Sequence, residues 1–145
     1  MGQQTLEPMM EAIRAVVDRQ ADEEFLEKGV WTIGELIIKM ENLKPTQKVR
    51  FEDGTYPGHL DSYRGFYRYL AVRRTDKPCT VKKFLELLQE AVGGIFIGYK
   101  GGEFKMTRHT FVWVSEYGCV SGEAIVGVET EGKDVVLKVR EVSSM

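Results

Sequence analysis

Apolar side chains at Leu6, Met9, Met10, Ile13, Val16 and Val17 recur at three- and four-residue steps, which predicts an amphipathic helix over residues 6–26. Pro8 is tolerated in its first turn and Gly29 follows its end. A second helix is predicted from Thr32 to Leu43. Thr32 and Glu35 have capping-box spacing, Ile33, Leu36, Ile37 and Met40 form one apolar stripe, and Pro45 stops the run. The period then shortens to two. Val49 and Phe51 alternate with Arg50, Asp53-Gly54 and Pro57-Gly58 punctuate the chain, and aromatic-rich strands are predicted at 59–63 and 66–73. A third helix, 80–92, carries Val81, Phe84, Leu85 and Leu88 on one face and ends at Gly93-Gly94. Further strands are predicted at 95–99, 103–106, 111–116, 122–130 and 134–142, the last two joined as a hairpin through Glu131-Gly132-Lys133. The pattern is that of an α+β fold: N-terminal helices plus a mainly antiparallel sheet with one further helix packed on it.

An offset of 48 residues places Thr32 on Thr80, Ile33 on Val81, Leu36 on Phe84, Met40 on Leu88, Val49 on Ile97 and Gly54 on Gly102. A duplicated unit of capped helix, strand and glycine turn gives this register, and so does the shared apolar period of any two helix-strand units. The chain divides into an acidic amphipathic helical extension, 1–30, and a single α+β domain, 31–145.

At 145 residues the chain has enough core for one domain without disulfide or metal staples, so Cys79 and Cys119 need no structural duty. No apolar run approaches the roughly 18–20 residues of a membrane span, and the first residues lack the layout of a signal peptide, so a reduced cytosolic setting is expected. The net charge of −2 argues against a binder of duplex nucleic acid. The distribution is uneven: residues 1–31 carry a local −4, whereas 48–74 carry six bases against three acids. A basic, tyrosine-rich middle suits a small anion, or equally the polar face of a sheet.

Catalytic constellations are sparse. Cys79 and Cys119 stand apart, and neither His59 nor His109 has a ligand-type partner three to five residues away, so no metal site is expected. The triplets His59-Leu60-Asp61 and His109-Thr110-Phe111 lack the third-position hydroxyl of two-histidine phosphodiesterases. Cys119 lies in a turn entering a strand, with no helix N-terminus to lower its pKa as a partner of His109. Glu23-Glu24 fall on a solvated face, and Glu103 and Glu116 have no evident partner for acid-base work. The expectation is a protein that is not an enzyme and has no cofactor.

Two segments carry binding chemistry. The run Gly98 to Thr107 is not a P-loop, because no Gly-Lys-Ser/Thr opens a helix. It offers turn amides at Gly101 and Gly102, the ring of Tyr99, the ammonium groups of Lys100 and Lys105, and Thr107. A plain hairpin with solvent-facing lysines fits it equally. In Tyr63-Arg64-Gly65-Phe66-Tyr67-Arg68-Tyr69, strand alternation puts Tyr67 and Tyr69 on one face, and a bend at Gly65 turns Arg64 toward it. Arginine grips phosphate bidentately and tyrosine stacks on a base, the ingredients of a nucleotide pocket and also of a structural aromatic cluster.

These segments, with Trp31-Thr32-Ile33-Gly34-Glu35-Leu36-Ile37, Leu70-Ala71, Thr80-Val81, Val112-Trp113-Val114 and Ala124-Ile125-Val126-Gly127-Val128, resemble a widespread group of small tailed-phage proteins over residues 31–130. The resemblance implies a phage counter-defence protein in the cytoplasm of an infected bacterial host. Its class is the nucleotide sponge, which sequesters a cyclic nucleotide immune signal of CBASS or Thoeris type, a cyclic dinucleotide such as cyclic GMP-AMP, without cleaving it. Sponges of this kind are commonly homo-oligomers. The ligand-binding set inferred from residue chemistry is Tyr63, Arg64, Tyr67, Tyr99, Lys100, Gly101, Gly102, Lys105, Thr107 and Trp113. The competing readings are a protein-protein interaction module acting on a host or phage protein, and a nucleotide-cleaving enzyme.

Overall fold

The computed structural model describes residues 22–63, 66–97, 103–116 and 119–142, with side chains left undescribed at 62, 63, 66–68, 104, 116 and 119–121. Residues 22–27 are helical (α1) and are followed by α2 (Ile33–Glu41), β1 (Lys48–Phe51), β2 (Tyr56–Tyr63), β3 (Phe66–Thr75), β4 (Cys79–Thr80) and α3 (Val81–Ala91). Then come β5 (Ile95–Ile97), β6 (Glu103–Lys105), β7 (Val112–Glu116), β8 (Cys119–Glu131) and β9 (Asp134–Glu141). The fold is α+β, as its sequence pattern predicts. Among the described residues, no helix is long and apolar enough to cross a membrane.

Seven strands form one sheet in the order β2-β3-β7-β8-β9-β1-β4, and β5 pairs with β6 in a separate ribbon. Four of the six pairings in the large sheet are antiparallel; β3 with β7 and β1 with β9 are parallel. Register shifts in β2, between Val114 and Ser115, and between Ile125 and Gly127 bend the sheet. The turn after β1 closes with Phe51 N–H donating to Thr55 O at 2.7 Å, so the chain passes from β1, beside the β4 edge, directly into β2 at the other edge.

Strand alternation divides the core. Leu70, Val72, Val112 and Val114 join Val49, Phe51, Val135 and Leu137 against the inward residues of α2 and α3. Their neighbours Tyr69, Ala71, Phe111 and Trp113 face the other side, where Phe25 and Val30 cover them. β3 and β7 are therefore apolar on both faces, the condition under which parallel pairing is stable. The packing also crosses the boundary expected at residue 30: Phe25 and Val30 belong to the domain's second core cluster. The stripe from Leu6 to Val17 lies outside the described residues.

Two matched caps start the helices. Thr32 and Thr80 both hold extended backbone, φ −95° and −92°, and each hydroxyl accepts the amide three residues on. In α2 the box is complete, because the Glu35 carboxylate returns to the Thr32 amide at 3.1 Å. In α3 the equivalent third position is Lys83, which cannot accept. The 48-residue correspondence holds for the capped helices and stops at the strands: β1 lies inside the large sheet, whereas β5 pairs with the ribbon strand β6. Gly34 permits α2 to dock, since a Cβ there would sit 2.9 Å from the Arg108 carbonyl that its own amide bonds.

Candidate anion-binding groove

Because β2 and β4 are the outer strands of a bent sheet, a seam is left where they face each other. Unpaired strand edges invite association with other chains, and the residues along this seam are of the kind that discourages it: Pro57 and Pro78 donate no amide, and cations stand beside them. α3 lies along the seam with Lys83 and Leu87, spaced i and i+4, turned into it, while Phe84 and Leu88 face the core. Gly58 keeps the wall thin, since a Cβ there would sit 2.8 Å from Thr75 Cγ2.

The result is a groove of about 530 Å³. Arg73 and Lys77 enter from β3 and the connection after it, Lys83 from the first turn of α3, and His59 from β2. Pro57, Pro78 and Leu87 give it apolar walls, and among the described residues no carboxylate lines it. The nearest described acid on β2, Asp61, has Oδ2 3.9 Å from His59 Nε2. Arg73, Lys77 and Lys83 have no ion-pair partner among the described residues, in contrast to Arg74 one position along, which is held by Asp53 at 3.4 Å and Glu123 at 3.0 Å above the Phe51 ring. The α3 amides are not free donors: Val81 and Lys82 bond the carbonyls of Gln47 and Pro45, and Lys83 bonds Thr80 Oγ1. Recognition in this groove therefore falls to side-chain cations.

Cys79 forms part of the floor. Burial pushes its thiol up to about 11, against the opposing pull of the Lys83 charge, and Sγ donates to Thr80 O at 3.5 Å. A thiol held protonated at neutral pH is a poor nucleophile. The expected result is that iodoacetamide at pH 8 modifies Cys79 in the unfolded chain and spares it in the native one. Since the folded value lies above the ordinary one, the native state loses stability relative to Cys79→Ala as pH rises from about 9 towards about 11. A melting-temperature series of both proteins across that range checks the sign.

Of the ten residues expected to bind ligand, the three with described side chains, Lys105, Thr107 and Trp113, do not line this groove. Arg64, Tyr99, Lys100, Gly101 and Gly102 lie outside the described residues, as do the side chains of Tyr63 and Tyr67. Lys105 is exposed on β6, and Thr107 is exposed in a turn in which its amide donates to Thr110 Oγ1 at 2.8 Å and its hydroxyl accepts the His109 amide. Trp113 requires correction as a stacking surface. It is 1% exposed, with Phe25 edge-on at 5.2 Å and Tyr69 stacked at 6.3 Å, so its ring belongs to the core. Lys77 and Lys83 escape a reading centred on aromatics. The signal available for Lys83 is local: Lys82-Lys83 opens a helix whose dipole favours acids there, at the position that Glu35 fills in α2.

Comparison of the chain with family models, with curated proteins and with solved structures returns no match.

Proposed function

We propose that the protein binds a cyclic dinucleotide in the groove between β2, β4 and α3 and holds it without turnover, acting as a phage counter-defence sponge in an infected bacterial cell. The observation that supports this most is a concave site of about 530 Å³ lined, among the described residues, by three cations and no carboxylate. Ligand sites of small molecules are commonly of about 300–1,000 Å³, apolar with a few placed polar groups. A cyclic dinucleotide presents two phosphodiester charges and two flat bases. Arg73 suits bidentate contact with one phosphate, Lys77 and Lys83 suit point-charge contact with the other, and Pro57, Pro78 and Leu87 supply apolar surface for the bases. A protonated, buried thiol and a histidine beside a carboxylate do not make an activated nucleophile, which favours holding over cleavage.

The test is capture followed by heat denaturation. The protein is incubated with cyclic GMP-AMP, separated from free ligand, heated, and the supernatant chromatographed. Release of intact ligand supports the proposal; altered ligand overturns it in favour of turnover. Absence of capture also overturns it and favours an interaction module, a reading supported by Ile95 and Ile97, 63% and 67% exposed on β5.

A further inference from the structure

We infer that a second anion site, sharing no residue with the groove, binds an inorganic diphosphate or triphosphate chain between the turn after α2 and the tip of the β8–β9 hairpin. The cavity there has a volume of about 540 Å³ and brings together Lys44, Thr46 and Lys48 from one segment with Gly132 and Lys133 from the other. These two stretches lie more than eighty residues apart in sequence and are tied by Gln47, whose Nε2 donates to Lys133 O at 3.3 Å. The turn is fixed before any ligand arrives. Gln47 Oε1 accepts the Lys44 amide at 3.1 Å, the Gln47 amide returns to Lys44 O at 3.1 Å, and the carbonyls of Pro45 and Gln47 are held by α3 amides. Such preorganisation removes part of the ordering cost of binding.

The charges decide the ligand class. Lys44, Lys48 and Lys133 line the cavity, and among the described residues none has an ion-pair partner. Asp134, the one carboxylate among the cavity's described lining residues, is already engaged from the neighbouring strand: Arg50 Nε donates to it at 3.1 Å while Arg50 Nη2 reaches Glu131 at 2.9 Å. Lys138 likewise stands among Glu52, Glu129 and Glu131. Glu52, Glu129 and Glu131, which pair with Arg50 and Lys138, are not among the cavity's described lining residues, where Lys44, Lys48 and Lys133 outnumber Asp134. A monovalent anion balances a single one of those charges, whereas a diphosphate or triphosphate chain spans all three.

Calorimetric titration of the full chain at low ionic strength with pyrophosphate, tripolyphosphate and ATP, with sulfate as control, tests the inference. Pyrophosphate is expected to bind at least about tenfold more tightly than sulfate. Lys48→Gln and Lys133→Gln are each expected to weaken it about five- to tenfold with an unchanged melting temperature, since both side chains are exposed. Lys83→Gln, in the groove, is expected to leave unaltered the component of pyrophosphate binding that Lys48→Gln and Lys133→Gln weaken. ATP binding equal to that of tripolyphosphate assigns recognition to the phosphate chain, and tighter ATP binding identifies a nucleotide as its source. No pyrophosphate heat, a Lys48→Gln/Lys133→Gln double variant that binds as the unaltered chain does, or an equal loss in Lys83→Gln overturns the site. Since Lys83→Gln is expected to weaken cyclic dinucleotide capture and Lys133→Gln is expected to leave it unchanged, failure here is distinct from failure of the proposed function.

Discussion

Trp113→Ala is expected to lower the melting temperature by about 6–20 °C, the largest stability effect of any single change considered for this protein. The figure combines a cost of about 3–5 kcal/mol for removing a large buried aromatic with about 2–4 °C per kcal/mol for a chain near this size. The geometry argues for the upper half of that range. Trp113 faces Ala71 on β3 and Ala124 on β8, two small residues whose size makes room for the indole, and Phe25 closes it from above. The residues directly opposite on both strands are alanines, too small to fill the space, so the cavity has little means of collapsing. Trp113→Phe is expected to cost less than half as much. Circular dichroism melts of the three proteins check this, and a shift under about 2 °C for Trp113→Ala would place the indole outside the packing.

Charge reversal in the groove is expected to have the largest effect on function. Arg73→Glu with Lys83→Glu is expected to weaken cyclic dinucleotide capture at least about 100-fold, because hydrogen bonds to charged groups contribute about 1.5–3 kcal/mol each and reversal replaces attraction by repulsion. Stability is expected to move the other way. Lys83 is the third residue of a helix whose Thr80 cap is in place, so a carboxylate there both completes the capping box, as Glu35 does in α2, and meets the positive end of the helix dipole. Lys83→Glu is therefore expected to raise stability by about 0.3–1 kcal/mol while binding is lost. A melting temperature that falls along with capture would instead make Lys83 a structural residue and sink the assignment.

That opposition also explains what was legible in the sequence. Caps and stripes are local, so α2 and α3 fall within about two residues of their predicted limits, and Gly132-Lys133 joins β8 to β9 with Glu131 opposite Asp134. Sheet order is not local. A two-residue period says that 69–72 and 111–114 are strands and not that they run side by side in parallel. The near-continuous apolar character of both stretches is the available sign that they are buried on both faces, and it is what places Trp113 inside. The groove is less legible still, because its residues come from β2, β3, β4 and α3 and meet where the two edges of the sheet approach. What the sequence does carry is a broken local rule, a lysine where the helix favours an acid, and such departures concentrate where a protein binds something.

The parallel pairing of Lys48–Phe51 with Asp134–Leu137 has a temporal consequence. During synthesis, β1 has left the ribosome long before its β9 neighbour exists, and β8 cannot complete the hairpin that delivers that neighbour until residue 141 is added. The side of β1 that carries Val49 and Phe51 lacks its β9 neighbour throughout, and closure of so long a loop is slow. The nascent chain is thus most prone to aggregate just before its last strand is made.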